Sequence, residues 1–221
     1  MMLLATLAGP ANADDGQLWA TMVAQGPIAG QGIVRPIASF EVQQRVTEGL
    51  SRPSLTLARV ALGARLAPDV TVLAAYHFQH SDPVAGIATD EHRLWQQLAF
   101  PLYRDPERLT IGVRLRIEQR WIAGADNTGW RARALLRIQL VQARLGNAVP
   151  LLWSEALLPI NDTDWGQRRR VRQFRHFIGA AVPIDNRLGI EAGYMLRTDA
   201  LPDGTRKAHV ANILLNYRFG D

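Results

Sequence analysis

Residues 114–121 alternate between charged and apolar side chains. The charged positions are Arg114, Arg116, Glu118 and Arg120, and apolar residues fill most of the positions between them. A helix would scatter these charges around its circumference, whereas a strand places all of them on one face. A charged face opposite an apolar face predicts a strand of a membrane barrel with a polar lumen.

The same period of two recurs along the chain, and turn signals separate the segments. Residues 131–144 are rich in Ala, Leu and Arg and would also suit a helix, but the pattern of their neighbours favours a strand. Most segments reach the roughly 9–11 residues that a tilted strand needs to cross a bilayer. The predicted strands are 17–26, 33–46, 54–67, 70–80, 91–103, 108–122, 130–144, 149–160, 170–183, 187–198 and 207–219.

The connections between these segments fall into two classes that alternate along the chain. Outer-membrane barrels show this asymmetry, with short periplasmic turns and longer outer loops. The short class comprises 67–69, 103–107, 145–148 and 183–186. The longer, more polar class comprises 81–90, 123–129, 161–169 and 199–206.

The predicted fold is an all-β, transmembrane, antiparallel up-and-down barrel of 10–12 strands. Eleven segments are visible, whereas bacterial single-chain barrels usually have an even number of strands. A strand missed or split near the N-terminus would resolve the conflict, or the first segment is not a regular wall strand. Ten and twelve strands both remain open, and twelve is favoured.

The composition fits one exported domain. No stretch approaches the ~18–20 apolar residues of a transmembrane helix, and the absence of cysteine excludes disulfides and thiol chemistry. Residues 1–13 resemble a signal peptide, with a short apolar run and the small-x-small sequence Ala11-Asn12-Ala13. We therefore expect a signal peptide over 1–13, a barrel over 14–221 and an outer-membrane location.

The basic residues are 24 arginines and the single lysine Lys207, spread along most of the chain. A nucleic-acid binder usually gathers its basic residues into patches, so no nucleic-acid partner is predicted, and a soluble basic barrel that binds nucleic acid is a distant alternative. Arg168, Arg169 and Arg170 follow an outer loop, where lipopolysaccharide phosphates are natural partners. The predicted partners are thus outer-membrane lipid and lipopolysaccharide.

The final segment, 211–219, alternates apolar and polar residues. It contains Tyr217 and ends at Phe219, which two further residues follow. A terminal amphipathic strand that ends in an aromatic residue resembles the signal read by the outer-membrane assembly machinery. Tyr217 and Phe219 are the predicted assembly signal.

Several motifs occur together: Glu91–Gln97, Arg114–Arg120, Trp153-Ser154-Glu155, Asn161–Gly166 and Ile190–Tyr194. Their order and spacing resemble a family of Gram-negative bacterial proteins known as domain of unknown function 2490. The resemblance spans Trp19 to Phe219 and implies a β-barrel in the outer membrane. It implies no catalytic residue.

When the period-two pattern is applied to every predicted strand, it predicts which charged residues face the lumen. This inward set contains many more arginines than glutamates. Carboxylates between arginines on neighbouring strands predict a network that holds the wall in shape. The arginine excess also favours anions, so the role is structural or that of a narrow anion-favouring pore. An anionic ligand site is a further possibility. The set is Glu41, Arg45, Arg59, Arg65, Glu91, Arg93, Arg114, Arg116, Glu118, Arg120, Arg131, Arg133, Arg137, Glu155, Arg175, Arg187, Glu191 and Arg197.

Two other groups of side chains have residue types that occur in catalytic or metal sites. No serine lies in a nucleophile-elbow motif, and His92 beside Glu91 points to the opposite face, so no catalytic residue is assigned. A lipid-modifying or ligand-binding barrel is the alternative function. Asn161–Asp164 offers oxygen ligands to calcium, but turn chemistry explains these residues better, so no metal and no cofactor are predicted.

Overall fold

In the computed structural model the described residues form one closed barrel of eleven strands, so the predicted all-β barrel is confirmed. The structure describes residues 16–29, 34–47, 50–83, 86–202 and 204–220, and the predicted signal peptide lies outside them. The strands are β1 (Gly16–Pro27), β2 (Arg35–Thr47), β3 (Arg52–Ala67), β4 (Val70–Ser81), β5 (Thr89–Asp105), β6 (Leu109–Ile122), β7 (Gly129–Gln139), β8 (Val149–Pro159), β9 (Arg172–Pro183), β10 (Leu188–Leu201) and β11 (Gly204–Arg218).

The preference for twelve strands is wrong, because the first segment is a regular wall strand. β1 pairs antiparallel with β2 on one side and parallel with β11 on the other, from Gly16 opposite His209 to Gln25 opposite Arg218. In an up-and-down barrel with an odd number of strands, the first and last strands necessarily run in the same direction. Parallel pairing resolves the conflict without a missing strand.

Two predicted boundaries shift. β7 ends at Gln139 rather than at 144, and Val141–Ala143 forms a single 3-10 turn. The predicted long loop 199–206 is absent, because β10 and β11 continue to Leu201 and Gly204 and leave only residues 202–203 between them. Residues 140–144, whose composition also suits a helix, thus leave the strand and form this short turn beyond the end of β7.

The connections lie at two rims. Of the described residues, the C-terminal rim, where β11 ends, carries 28–29, 34, 68–69, 106–108, 140–148 and 184–187. The loop rim, at the opposite end, carries 50–51, 82–83, 86–88, 123–128, 160–171 and 202. Pro68-Asp69 is a two-residue connection in which Asp69 has a φ of 64°, a left-handed conformation that aspartate tolerates better than most residues.

The outer surface is apolar around the full circumference. Each of the eleven strands exposes at least one large apolar or aromatic side chain, and exposure reaches 60% at Ile178 and 61% at Leu102. A water-soluble domain rarely exposes a continuous apolar surface of this extent. Within the described part of the chain, no helix is long and apolar enough to cross a membrane.

Candidate functional site

The strand alternation directs the predicted charged residues into the lumen. Glu91, Arg93, Arg116, Glu118 and Glu155 are all buried, although none lies in an apolar core. Arg187 differs from the prediction because β10 begins at Leu188, so Arg187 lies in the turn at the C-terminal rim. Arg65 is exposed at the same rim.

Glu118 is the centre of the buried network. Its side chain is 1% exposed and accepts hydrogen bonds from Arg131 and, at 2.8 Å, from Arg133, while Arg116 lies 3.6 Å away. A buried carboxylate needs such charge-assisted partners, because burial without them would cost several kcal/mol. Glu118 therefore ties β6 to β7 from inside the lumen.

Two further carboxylates extend this network to other strands. Arg133 bridges from Glu118 to Glu155, which it contacts at 2.7 and 2.8 Å. Arg93 forms a two-bond pair with Glu91, both contacts being 2.7 Å, and Arg120 donates to the same carboxylate at 2.6 Å. The result links strands β5 to β8 through forked arginine–carboxylate pairs, the geometry in which arginine binds best.

The remaining predicted residues form smaller groups. Glu41 accepts from Arg59, and Glu191 forms a two-bond pair with Arg137 at 2.7 and 2.8 Å. Arg197 contacts Asp199 at 2.6 Å, and Asp199 was not among the predicted residues. Asp199 lies two residues beyond Arg197 on the same face of β10, so the alternation could have identified it, but the predicted strand ended at 198.

The lumen contains two adjoining cavities that open toward the C-terminal rim. The inner one has a volume of about 660 Å³ and the outer one, at the rim, about 830 Å³, and both are lined by Arg137, Glu191 and Arg218. Eight arginines but only four carboxylates line the inner cavity. Neither cavity is lined by Glu91, Arg93 or Glu118, which are packed nearer the loop rim.

Arg45 and Arg175 meet at Trp19, beside the inner cavity. The Arg45 guanidinium carbon lies 3.6 Å from the centre of the indole ring, and that of Arg175 lies 5.0 Å from it. Trp19 is 2% exposed. It shares the polar face of β1 with Gln17 and Thr21, and this alternation is the signal that could have identified it as inward.

Trp153 lines another side of the inner cavity, and Phe177 packs against it. The rings of Trp153 and Phe177 are stacked with a centroid separation of 5.2 Å and an angle of 8°. Gly179 and Gly193 lie opposite each other on β9 and β10, and a Cβ on either glycine would lie within 2.8 Å of the Phe177 ring. Two glycines are therefore needed where this ring packs against the inner face of the wall.

Residues 160–171 fold over the mouth at the loop rim and are held by hydrogen bonds. The buried side chain of Gln167 accepts from Arg120 at 2.8 Å and donates to the carbonyl oxygens of Trp130 and Asn161. Trp165 donates to the Asn127 carbonyl oxygen at 2.8 Å. The sequence alone gave no indication that Gln167 would point into the lumen.

Asp164 joins this loop to its neighbour. Its carboxylate accepts hydrogen bonds from the backbone N–H groups of Asp126 and Asn127, which lower the pKa of the carboxyl. Asp162 accepts similarly from the N–H of Arg169. In this structure these carboxylates serve turn chemistry within the loops.

Polar side chains on the outer wall occur in cross-strand pairs. Ser154 and His176 are opposite one another, with 2.9 Å between the serine oxygen and Nδ1 of the histidine. A serine next to a histidine is a catalytic pattern that the sequence did not reveal, but no carboxylate among the described residues orients this histidine. Further pairs are Gln44–Thr56, Tyr76–His92, His80–Asp90, Gln96–Gln119 and Tyr194–His209. Mutual pairing is what an apolar surrounding demands of polar groups.

A closed barrel with an apolar exterior and an arginine-rich lumen defines the class of this protein. The chain belongs to the family described as protein of unknown function DUF2490, which it matches over residues 16–208. The chain is also similar to the uncharacterized protein MexAM1_META1p0181 of Methylorubrum extorquens. The two are 28% identical over 210 residues, which cover 93% of this chain and 88% of the relative. No solved structure matches the chain.

Proposed function

We propose that the protein is an outer-membrane β-barrel with an anion-favouring lumen that is closed at the loop rim. The observation that carries the location is the outer wall, which is apolar on every strand and pairs its polar side chains with one another. Hydrocarbon would surround such a wall favourably, whereas water would not.

The closed lumen supports a structural role over free passage of solutes. The buried pairs around Glu91 and Glu118 fill the lumen near the loop rim, and Gln167 covers them. The charges of the C-terminal half are unbalanced in favour of arginine, which raises the local concentration of anions. We therefore expect little conductance from the resting barrel, and a preference for anions in whatever current passes.

The proposed partners follow from the two rims. Arg169 and Arg170 are exposed on the long loop of the loop rim, where they suit lipopolysaccharide phosphates. At the other rim, Tyr217 faces outward near the end of β11 and Phe219 follows that strand. These two aromatic residues are the proposed signal for the outer-membrane assembly machinery.

Fractionation of a Gram-negative host that expresses the full chain tests the location. We expect the protein in the outer-membrane fraction, released by detergent but not by high salt or alkaline carbonate. A parallel culture expressing a known periplasmic protein controls for leakage. Recovery in the soluble fraction without detergent would refute the membrane location.

Planar-bilayer recording of the refolded protein tests the lumen. We expect rare, small currents whose reversal potential in a salt gradient favours anions. Replacing both Trp165 and Gln167 by Ala should increase the current, because it removes the contacts that hold the loop over the mouth. A reversal potential that favours cations would overturn the anion preference, and a large steady current from the unmodified barrel would overturn the closure.

A further inference from the structure

Among the buried and half-buried arginines that the structure describes, Arg45 differs from the others because it has no acidic partner. No carboxylate of the described residues lies within ion-pair distance of its guanidinium, which contacts Gln43 through Nε at 2.9 Å and stacks on Trp19. The strongest electrostatic influences on it come from other guanidiniums, those of Arg175, Arg197, Arg59 and Arg93. A half-buried cation among cations is unfavourable unless an anion joins it.

Arg175 is only partly compensated. It donates to Gln173 at 2.7 Å and lies 3.5 Å from Glu155, a carboxylate already bound by Arg133 and Arg114. Because Arg175 also lies against Trp19, the two guanidiniums are neighbours on one indole. Two adjacent forks with unused donors match the oxygens of a phosphate group.

The space next to these arginines suits an organic molecule rather than an ion alone. The inner cavity measures about 660 Å³, within the range of small-molecule pockets. Beside the arginines it is lined by Trp153, Leu135, Met195 and Leu214. An apolar group attached to the anion would cover these side chains.

We infer that Arg45 and Arg175, positioned by Trp19, bind the phosphate group of a small organic phosphate that enters from the C-terminal rim. The inference extends the anion-favouring lumen proposed above and rests on it. Trp19 is a positioning residue: its ring fixes both guanidiniums and so reduces the side-chain freedom lost on binding. Arg218 and Arg137 lie along the route between the two cavities and attract the anion on its way.

Calorimetric titration of the folded, purified barrel in nonionic detergent at constant ionic strength tests this site. The probes are phenyl phosphate, inorganic phosphate and phenol. We expect saturable binding of one phenyl phosphate per barrel, weaker binding of inorganic phosphate and none of phenol. Arg45→Gln should weaken phenyl phosphate binding about tenfold or more, since it removes charge-assisted hydrogen bonds.

Matched variants keep the result independent of folding. Arg144→Gln removes the same charge from the exposed connection between β7 and β8 and should leave binding unchanged. Arg45→Lys should restore only part of the affinity, because it keeps the charge but loses the fork. Circular dichroism of each variant shows whether the barrel is formed, and Arg175→Gln serves as the second test if Arg45→Gln does not fold.

Three outcomes would overturn the inference. The first is no saturable binding by the folded barrel. The second is that Arg45→Gln and Arg175→Gln both bind phenyl phosphate as tightly as the unmodified barrel does. The third is that phenyl phosphate binds no more tightly than inorganic phosphate. The titration needs no membrane, so a protein that binds phenyl phosphate but fractionates as soluble would refute the location alone. A barrel that lies in the outer membrane and binds nothing would refute the site alone.

Discussion

The two halves of the lumen use the same residue types for opposite purposes. Near the loop rim, Glu91 and Glu118 are each shared by at least two arginines, and almost none of their side-chain surface remains exposed. Toward the C-terminal rim, arginines exceed carboxylates and surround open space. Arginines that are paired with carboxylates take the place of a hydrophobic core. Arginines in excess over carboxylates create a potential binding site for an anion from solution.

The largest expected effect comes from the matched half. Glu118→Gln removes the charge that Arg131 and Arg133 share in a buried position, so we expect the free energy of unfolding to fall by about 3–5 kcal/mol. Urea unfolding in lipid vesicles measures it. Glu107→Gln in the exposed turn between β5 and β6 is the control. A loss below about 1 kcal/mol, the range of exposed pairs, would show that the network does not hold the wall.

A steric change at the edge of the open half should have the next largest effect. A Cβ at Gly179 would lie 2.3 Å from the Ala192 carbonyl oxygen and 2.5 Å from the Phe177 ring. We therefore expect Gly179→Ala to destabilise the barrel by about 1–3 kcal/mol, as overpacking does. The same unfolding assay measures the loss, and Gly16→Ala, where a Cβ meets nothing within 4 Å, is the control. Equal stability of the two variants would contradict this prediction.

The ion pair Arg137–Glu191 in the open half should contribute less to the free energy of unfolding than the buried pairs of Glu118 do. Arg137 is 30% exposed and Glu191 13% exposed. Water can therefore hydrate Arg137 in the Glu191→Gln variant and replace part of the lost hydrogen bonding. We expect a loss of about 1 kcal/mol, close to the value of an exposed pair. Unfolding measured beside Glu118→Gln tests the difference directly. If the two variants lose equal stability, the distinction between the halves fails.

The smallest expected effect is the pH response of the loop contact. The pKa of Asp164 is lowered because its carboxylate accepts two backbone N–H groups, so its stabilisation is present above the unfolded pKa and is lost as the pH falls through the lower folded value. Below about pH 4, amide protection at Asp126 and Asn127 should therefore decrease. Hydrogen exchange measures it, and Asp164→Asn should remove the pH dependence. Unchanged protection in the unmodified chain at low pH would contradict the assignment.

Most of the fold could be predicted because period-two patterning specifies both the strand and its inward face. The inward orientation of Arg116 and Glu118 follows from that period alone. The alternation also identifies the eleven segments that form the wall, but parallel pairing of β1 with β11 depends on closure and leaves no local pattern, so the preference for twelve strands was wrong.

The site was harder to predict than the wall. Alternation identifies Arg45 as inward but does not show which arginines lack a carboxylate, because that depends on contacts across the lumen. The position of Gln167 depends on how residues 160–171 turn back, and no periodicity describes a loop.

The parallel seam has a consequence for the order of assembly. Each of the other strand pairs joins strands that are consecutive in the chain and can form as a local hairpin. The seam pairs Gly16 with His209, so its formation must overcome the entropy of closing a loop that contains almost the whole protein. Parallel pairing is also slightly weaker per residue. The seam is therefore where the barrel should close last and open first, and its amides should exchange with solvent before those of any hairpin.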